Sequence, residues 1–129
     1  MTRSQFENPE RGAQGPALKL VYIAGPFSAP TREGVEANIR RAEALAIEVA
    51  KLGAMPVCPH TNTGHPDFEK VQDYEFWLDG TMELMSRCDA VIFAQGWEYS
   101  KGSVAEHEAT GDLGLPVFTE LRKLEEWLR

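Results

Sequence analysis

The sequence predicts a single α/β domain, a Rossmann-like or flavodoxin-like three-layer sandwich with a parallel sheet of four to five strands. Three observations predict it. Short β-branched apolar runs alternate with segments of helical period four times along the chain. Each run ends at glycine, proline or a polar turn, as strands feeding crossover helices do. The 129 residues fit one domain with one sizeable core and leave no room for a second.

Residues 1–16 carry Ser, Gln, Asn, Pro and Gly with mixed charge and no periodicity, so they read as a flexible N-terminal tail ahead of a domain over 17–129. The first strand is Leu18 to Ala24, broken by Gly25-Pro26. That break places Tyr22 to Ser28, with Gly25, Pro26 and Phe27 among them, at the carboxyl end of the sheet, where open α/β sheets bind ligands. Thr31 is suited to cap a helix, and Val35, Ile39, Ala42, Ala46 and Val49 repeat at helical spacing up to Gly53. Arg40, Arg41, Glu43 and Glu48 mark its solvated face.

Ala54 to Cys58 reads as a second strand stopped by Pro59, followed by a polar loop over residues 60–67 in which His60 and Asn62 are candidates to line or cover a site. Cys58, His60 and His65 lack the paired spacing of a zinc site, and no metal or cofactor is expected. Phe68 to Arg87 has helical character, with Tyr74, Trp77, Leu78, Met82 and Met85 on an apolar stripe. Asp79-Gly80-Thr81 reads as a break, where Asp79 or Thr81 caps a new helix. Trp77 and Trp97 stand beside polar turns and are candidate pocket walls.

Strand three opens at Asp89 and runs through Ala94 into Gly96-Trp97-Glu98-Tyr99-Ser100-Lys101-Gly102-Ser103-Val104-Ala105-Glu106. A strand entering a loop of glycines and serines and then a helix is a ready anion site, because the first helical turn has unpaired N–H groups at the positive end of its dipole. Ser100, Gly102 and Ser103 suit that role, and Glu106 falls one turn further in. Two readings of Glu106 stand side by side. Ser103-x-x-Glu106 matches a capping box, in which the glutamate ties back to its own helix start; alternatively the carboxylate faces the ligand. Leu115 to Phe118 is the fourth strand and Leu121 to Leu128 the closing helix.

Composition removes some function classes. A net charge of −7, from 13 Lys and Arg against 20 Asp and Glu, does not supply the clustered cations that a nucleic-acid polymer needs. Cys58 and Cys88 read as reduced, buried thiols of a cytoplasmic protein, with a disulfide the lesser alternative. No apolar run has the length of a membrane span and no signal-peptide core is visible, so a soluble intracellular chain is expected.

Val21-Tyr22-Ile23-Ala24-Gly25-Pro26, Asn38, Cys88-Asp89-Ala90-Val91, Ser100-x-Gly102-x-x-x-Glu106 and Gly114-x-Pro116-Val117 occur in this order. In that order and spacing the chain resembles the nucleoside 2-deoxyribosyltransferase-like superfamily, in particular its small phage and bacterial branch and, more distantly, the 2′-deoxynucleoside 5′-monophosphate N-glycosidases. The resemblance spans Leu18 to Phe118. It implies that Glu106 is a nucleophile at C1′ of the sugar, that Tyr22 orients it, and that Ser100 holds a 5′-phosphate, with Gly102 and Ser103 beside it. It implies a small nucleoside or nucleotide as ligand and a homo-oligomer as the assembled form. Thr81 stands where the relatives have an aspartate near the base, making Asp79 the candidate substitute. Pro26-Phe27-Ser28 replaces a phosphate-gripping Ser-x-Arg, leaving Arg32 or Lys101 as candidates. The alternative implied by Thr81 is a non-catalytic nucleotide-binding or sensor module of the same fold.

Overall fold

A computed structural model describes residues 18–129; the expected tail, residues 1–16, lies outside them. Four parallel strands, β1 (Leu20–Ala24), β2 (Met55–Val57), β3 (Ala90–Phe93) and β4 (Val117–Phe118), form one sheet in the order β2-β1-β3-β4. The chain between them forms α1 (Arg32–Lys51), the short turns α2 (Pro59–Asn62) and α3 (Pro66–Glu69), α4 (Tyr74–Ser86), α5 (Lys101–Leu113) and α6 (Leu121–Leu128). The expected α/β architecture is present, with four strands.

Alternation along β1 divides the core into two layers. Val21 and Ile23 face one side, against Ala42, Ala46 and Val49 of α1 and Leu124 of α6. Tyr22 and Ala24 face the other, with Val91 and Phe93 of β3 and Met85 of α4. Both inner strands are buried on each face, which explains their unbroken apolar runs. Pro56 is tolerated because β2 is an edge strand and needs no N–H on its open side. The carboxylate of Asp89 accepts from the Leu20 amide at 2.7 Å and fixes the start of β1 against β3.

Helix α1 follows its sequence signals. The Thr31 hydroxyl accepts from the Gly34 amide at 3.1 Å, and Val35, Ala42, Ala46 and Val49 are buried. Three other expectations need correction. Residues 60–67 are not an open polar loop, since Pro59 and Pro66 each start a helical turn, as proline at N1 favours. The next helix begins at Tyr74, with the Asp73 carboxylate accepting from the Phe76 amide at 2.9 Å, instead of at Phe68. Asp79-Gly80-Thr81 does not interrupt it, because one exposed glycine costs a helix only about 1 kcal/mol and the cap has already been supplied by Asp73.

The turn carrying His60 is packed tightly against Gly64. A Cβ added at Gly64 would lie 2.1 Å from the His60 carbonyl oxygen and 3.0 Å from Cδ1 of Ile39. Gly64→Ala is therefore expected to destabilise the fold by about 1–3 kcal/mol, read as a lower midpoint in urea with an unchanged slope.

Among the described residues, no helix is long and apolar enough to cross a membrane. Cys58 and Cys88 are free thiols, the first half-buried and the second buried.

Candidate active site

The strand order reverses direction between β1 and β3, the switch point at which flavodoxin-like sheets open a crevice beyond their carboxyl ends. A cleft of about 780 Å³ lies over this region. Its floor carries the pair that links the two strands' layers. The Tyr22 hydroxyl, from β1, donates a short hydrogen bond to Oε2 of Glu106, from α5, 84 residues away in sequence. Tyr22 is 1% exposed and Glu106 8% exposed.

This contact and the cap of α5 exclude the capping-box reading of Glu106. The N-cap of α5 is Ser100, whose hydroxyl oxygen accepts from the Ser103 amide at 3.3 Å. Ser103 thus sits inside the first turn, three residues past the cap, and the capping box weighed for Ser103 and Glu106 does not form. Glu106 lies in the second turn and turns its carboxylate toward Tyr22.

Electrostatics follow from that burial. Removal from water favours the neutral acid and raises the Glu106 pKa to about 7, while the Tyr22 hydrogen bond pulls the other way. Burial, and then the neighbouring carboxylate, raise the Tyr22 pKa well above its ordinary value, so the phenol stays protonated as a donor. The Thr81 hydroxyl also approaches the phenol, favouring its ionised form. It donates to the Leu78 carbonyl at 3.0 Å.

The loop after β1 forms one wall and is fixed by its carbonyls. Asn38 of α1, buried, donates through Nδ2 to Phe27 O at 2.9 Å and to Ser28 O at 3.4 Å. The His60 ring bonds Pro26 O through Nε2 at 2.9 Å. A carbonyl can only accept, so His60 carries its proton on Nε2. Burial lowers its pKa and keeps the imidazole neutral. Just past the ends of β1 and β3 the chains run close at Gly25, where an added Cβ would stand 2.8 Å from that of Ala94.

Gly25, Pro26, Phe27, His60 and Trp77 line the cleft, as do Ser100, Gly102 and Ser103 beside Tyr22 and Glu106. Four of the residues singled out in the sequence, Asp79, Asn62, Trp97 and Arg32, do not. Asp79 is exposed on α4 and absent from the cleft wall. A continuous helix turns it outward while Trp77, Leu78 and Thr81 face in. Asn62 ends the α2 turn exposed and also misses the cleft. Trp97, half-buried, packs against the core instead, with its ring on Phe93 at 5.1 Å and stacked on His107 at 4.4 Å. Of the two candidate phosphate cations, Lys101 reaches the cleft, whereas Arg32 donates to Gly64 O at 3.0 Å and pairs with Glu36 at 3.4 Å.

Several cleft residues carried no sequence signal of their own. Phe68 and Tyr74 look like core positions in a helical stripe, yet they are 37% and 61% exposed and form the rim. Thr81, a mismatch to the relatives' aspartate, lines the wall next to Tyr22. Three polar atoms of the cleft wall are buried without a partner: His60 Nδ1, Trp77 Nε1 and Ser103 Oγ. Buried polar groups are normally satisfied, so these are available to a ligand. Among the described residues no group of three or more His, Cys, Asp or Glu side chains is placed to hold a metal.

A family model described as Domain of unknown function (DUF7768) matches residues 19–120. No curated protein matches the chain. Among solved structures, the chain is similar to a 2-deoxyribosyltransferase from the psychrotolerant bacterium Bacillus psychrosaccharolyticus, with a TM-score of 0.53 and 18% identity over 82% of this chain and 90% of that one. At that identity the likeness shows a shared fold.

Proposed function

The chain belongs to the DUF7768 family, and we propose that it cleaves or exchanges the N-glycosidic bond of a nucleoside or its 5′-monophosphate through a glycosyl-Glu106 intermediate. One observation carries the reading: a buried carboxylate, held by a tyrosine hydroxyl, on the floor of a cleft with room for a nucleotide. The likeness in fold to a 2-deoxyribosyltransferase supports the same class of substrate.

In the proposed step an ionised Glu106 oxygen attacks C1′ as the bond to the base breaks. The developing oxocarbenium charge is stabilised by the carboxylate before the ester forms. Tyr22 restrains the carboxylate so that one oxygen remains directed at the sugar. Water, or a second base, then displaces Glu106, and two inversions leave the anomeric configuration retained. With Glu106 titrating at about 7, kcat/KM for base release is expected to rise with pH on an acid limb near that value, because only the ionised form attacks.

Ser100, Ser103 and Lys101, with the N–H groups around Gly102, are assigned to the 5′ end. The Ser100 oxygen accepts at the helix cap, which leaves its proton free to donate outward. Ser103 Oγ is buried without a partner, and a sugar hydroxyl or phosphate oxygen would supply one.

A second reading has its own observation. Thr81 and the outward-facing Asp79 leave the base without an obvious acid, which suits a module that binds nucleotides and does not cleave them. One assay separates the two. The protein is incubated with nucleosides and 5′-monophosphates, ordinary and N-alkylated, with and without a second base, and the products are resolved by chromatography. Free or exchanged base is expected. Saturable binding with no base released from any compound overturns the enzymatic reading in favour of the binding module.

A further inference from the structure

We propose, resting on the reading above, that the departing base already carries a positive ring charge, as an N-alkylated purine or a pyridinium does, and leaves as a neutral molecule without being protonated. The observation behind this is a cleft that has a nucleophile and lacks a partner acid. Cleaving an uncharged nucleoside puts negative charge on the departing ring nitrogen, and a positioned acid that quenches it contributes about 10²–10⁴-fold to the rate.

With Lys101 assigned to the 5′ end and the phenols of Tyr74 and Tyr99 exposed on the rim, the described residues place no such acid inside the cleft. Glu106 is the nucleophile. Thr81 brings a hydroxyl whose proton goes to Leu78 O. His60 is neutral, and its one ring proton is directed at Pro26 O. Glu69 and Asp73 stand on the exposed lip, and Asp73 is also the cap of α4.

The same surroundings favour a planar cation. The cleft's charged side chains are Glu69, Asp73 and Glu106 against Lys101 alone, so its potential attracts positive charge. Trp77 lines the wall, with Phe68 edge-on to it at 5.7 Å and 88°. Aromatic faces bind a flat cation better than its neutral counterpart.

The step balances without a further reactant. A lone pair of the Glu106 carboxylate forms the bond to C1′ as the C1′–N bond breaks, and that bond's electron pair passes to the ring nitrogen and neutralises the base. Water then attacks C1′, the ester bond breaks back to carboxylate, and the spare proton of the water is released. Each turnover of a cationic nucleoside therefore yields one sugar, one neutral base and one proton. Hydrolysis of a neutral nucleoside releases no net proton.

The test compares a pyridinium nucleoside and an N-alkylated purine nucleoside with uncharged purine and pyrimidine nucleosides, in ribose and 2-deoxyribose forms, using the full chain. The expected result is a kcat/KM at least about 100-fold higher for the cations, one proton per base in a weakly buffered assay, and a pH profile with an ascending limb and no descending one. Binding to Glu106→Gln separates recognition from leaving-group chemistry. That variant should bind the cation about tenfold more tightly than the neutral compound, with the preference reduced by Glu69→Gln and by salt. Comparable turnover of neutral nucleosides with a bell-shaped pH profile overturns the inference and leaves the enzymatic reading standing. Release of base from neither class removes both.

Discussion

Glu106→Gln is expected to lose base release by about four orders of magnitude while the domain stays folded and, above neutral pH, becomes more stable. The amide keeps the size of the side chain and still accepts from the Tyr22 hydroxyl, so the packing of the floor survives. It cannot supply the anion that attacks C1′. Steady-state release of base measures the first effect, and retained turnover in the variant would rule the mechanism out.

The stability effect has a definite sign. The Glu106 pKa is about 7 in the fold against 4.5 as its ordinary value, so between these limits the folded chain binds the extra proton. Stability from this group is complete below about 4.5, falls as pH rises, and is fully lost above 7. The wild type then bears a penalty on the order of 3 kcal/mol, which glutamine removes. Urea titrations of both proteins should nearly coincide near pH 4.5 and separate in favour of the variant by pH 8. A residue that merely capped its helix would behave in the opposite way, with glutamine no better than glutamate at any pH.

Tyr22→Phe is expected to lower kcat/KM at neutral pH by about 10–100-fold, the loss that follows from removing one hydrogen bond to a charged group. Phenylalanine fills the same space, so the layer formed with Val91, Phe93 and Met85 is kept. The carboxylate, however, loses the donor that holds its pKa down and fixes its direction. The acid limb should therefore move above 7, and activity should partly return in alkaline buffer as the remaining fraction ionises. An unshifted limb would show that Tyr22 does not act through Glu106. Unchanged activity at every pH would mean the ring serves packing alone.

Much of this architecture can be read from local pattern. The run Val21 to Ala24 is buried on both faces because α1 and α6 cover one and α4 the other, and its unbroken apolar character announces that. Thr31 and the spacing from Val35 to Val49 act within one helix and predict α1 closely. Errors cluster where two local signals compete. The Phe68 to Arg87 stretch has one helical period, yet Asp73 starts the helix inside it, and the apparent break at Gly80 is too weak to matter in a helix already capped. Trp97 has the same neighbourhood of polar turns as Trp77 and packs against the core instead. The difference is that Phe93, four residues before it, and His107 of α5 flank it.

Sequence by itself determined the parallel α/β class, the two central strands, the position of α1 and the presence of a glycine and serine turn before α5. These depend on periodicity, caps and turn residues, whose energetics reach only a few positions along the chain. Whether Ser100 or Ser103 caps α5, whether Asp79 or Thr81 meets the cleft, and whether Glu106 ties back to its own helix start or reaches Tyr22 were decided only by tertiary structure. The last answer depends on β1 lying beside β3, which brings Tyr22 to Glu106 across 84 residues, and no signal with a range of one helical turn can encode a contact of that kind.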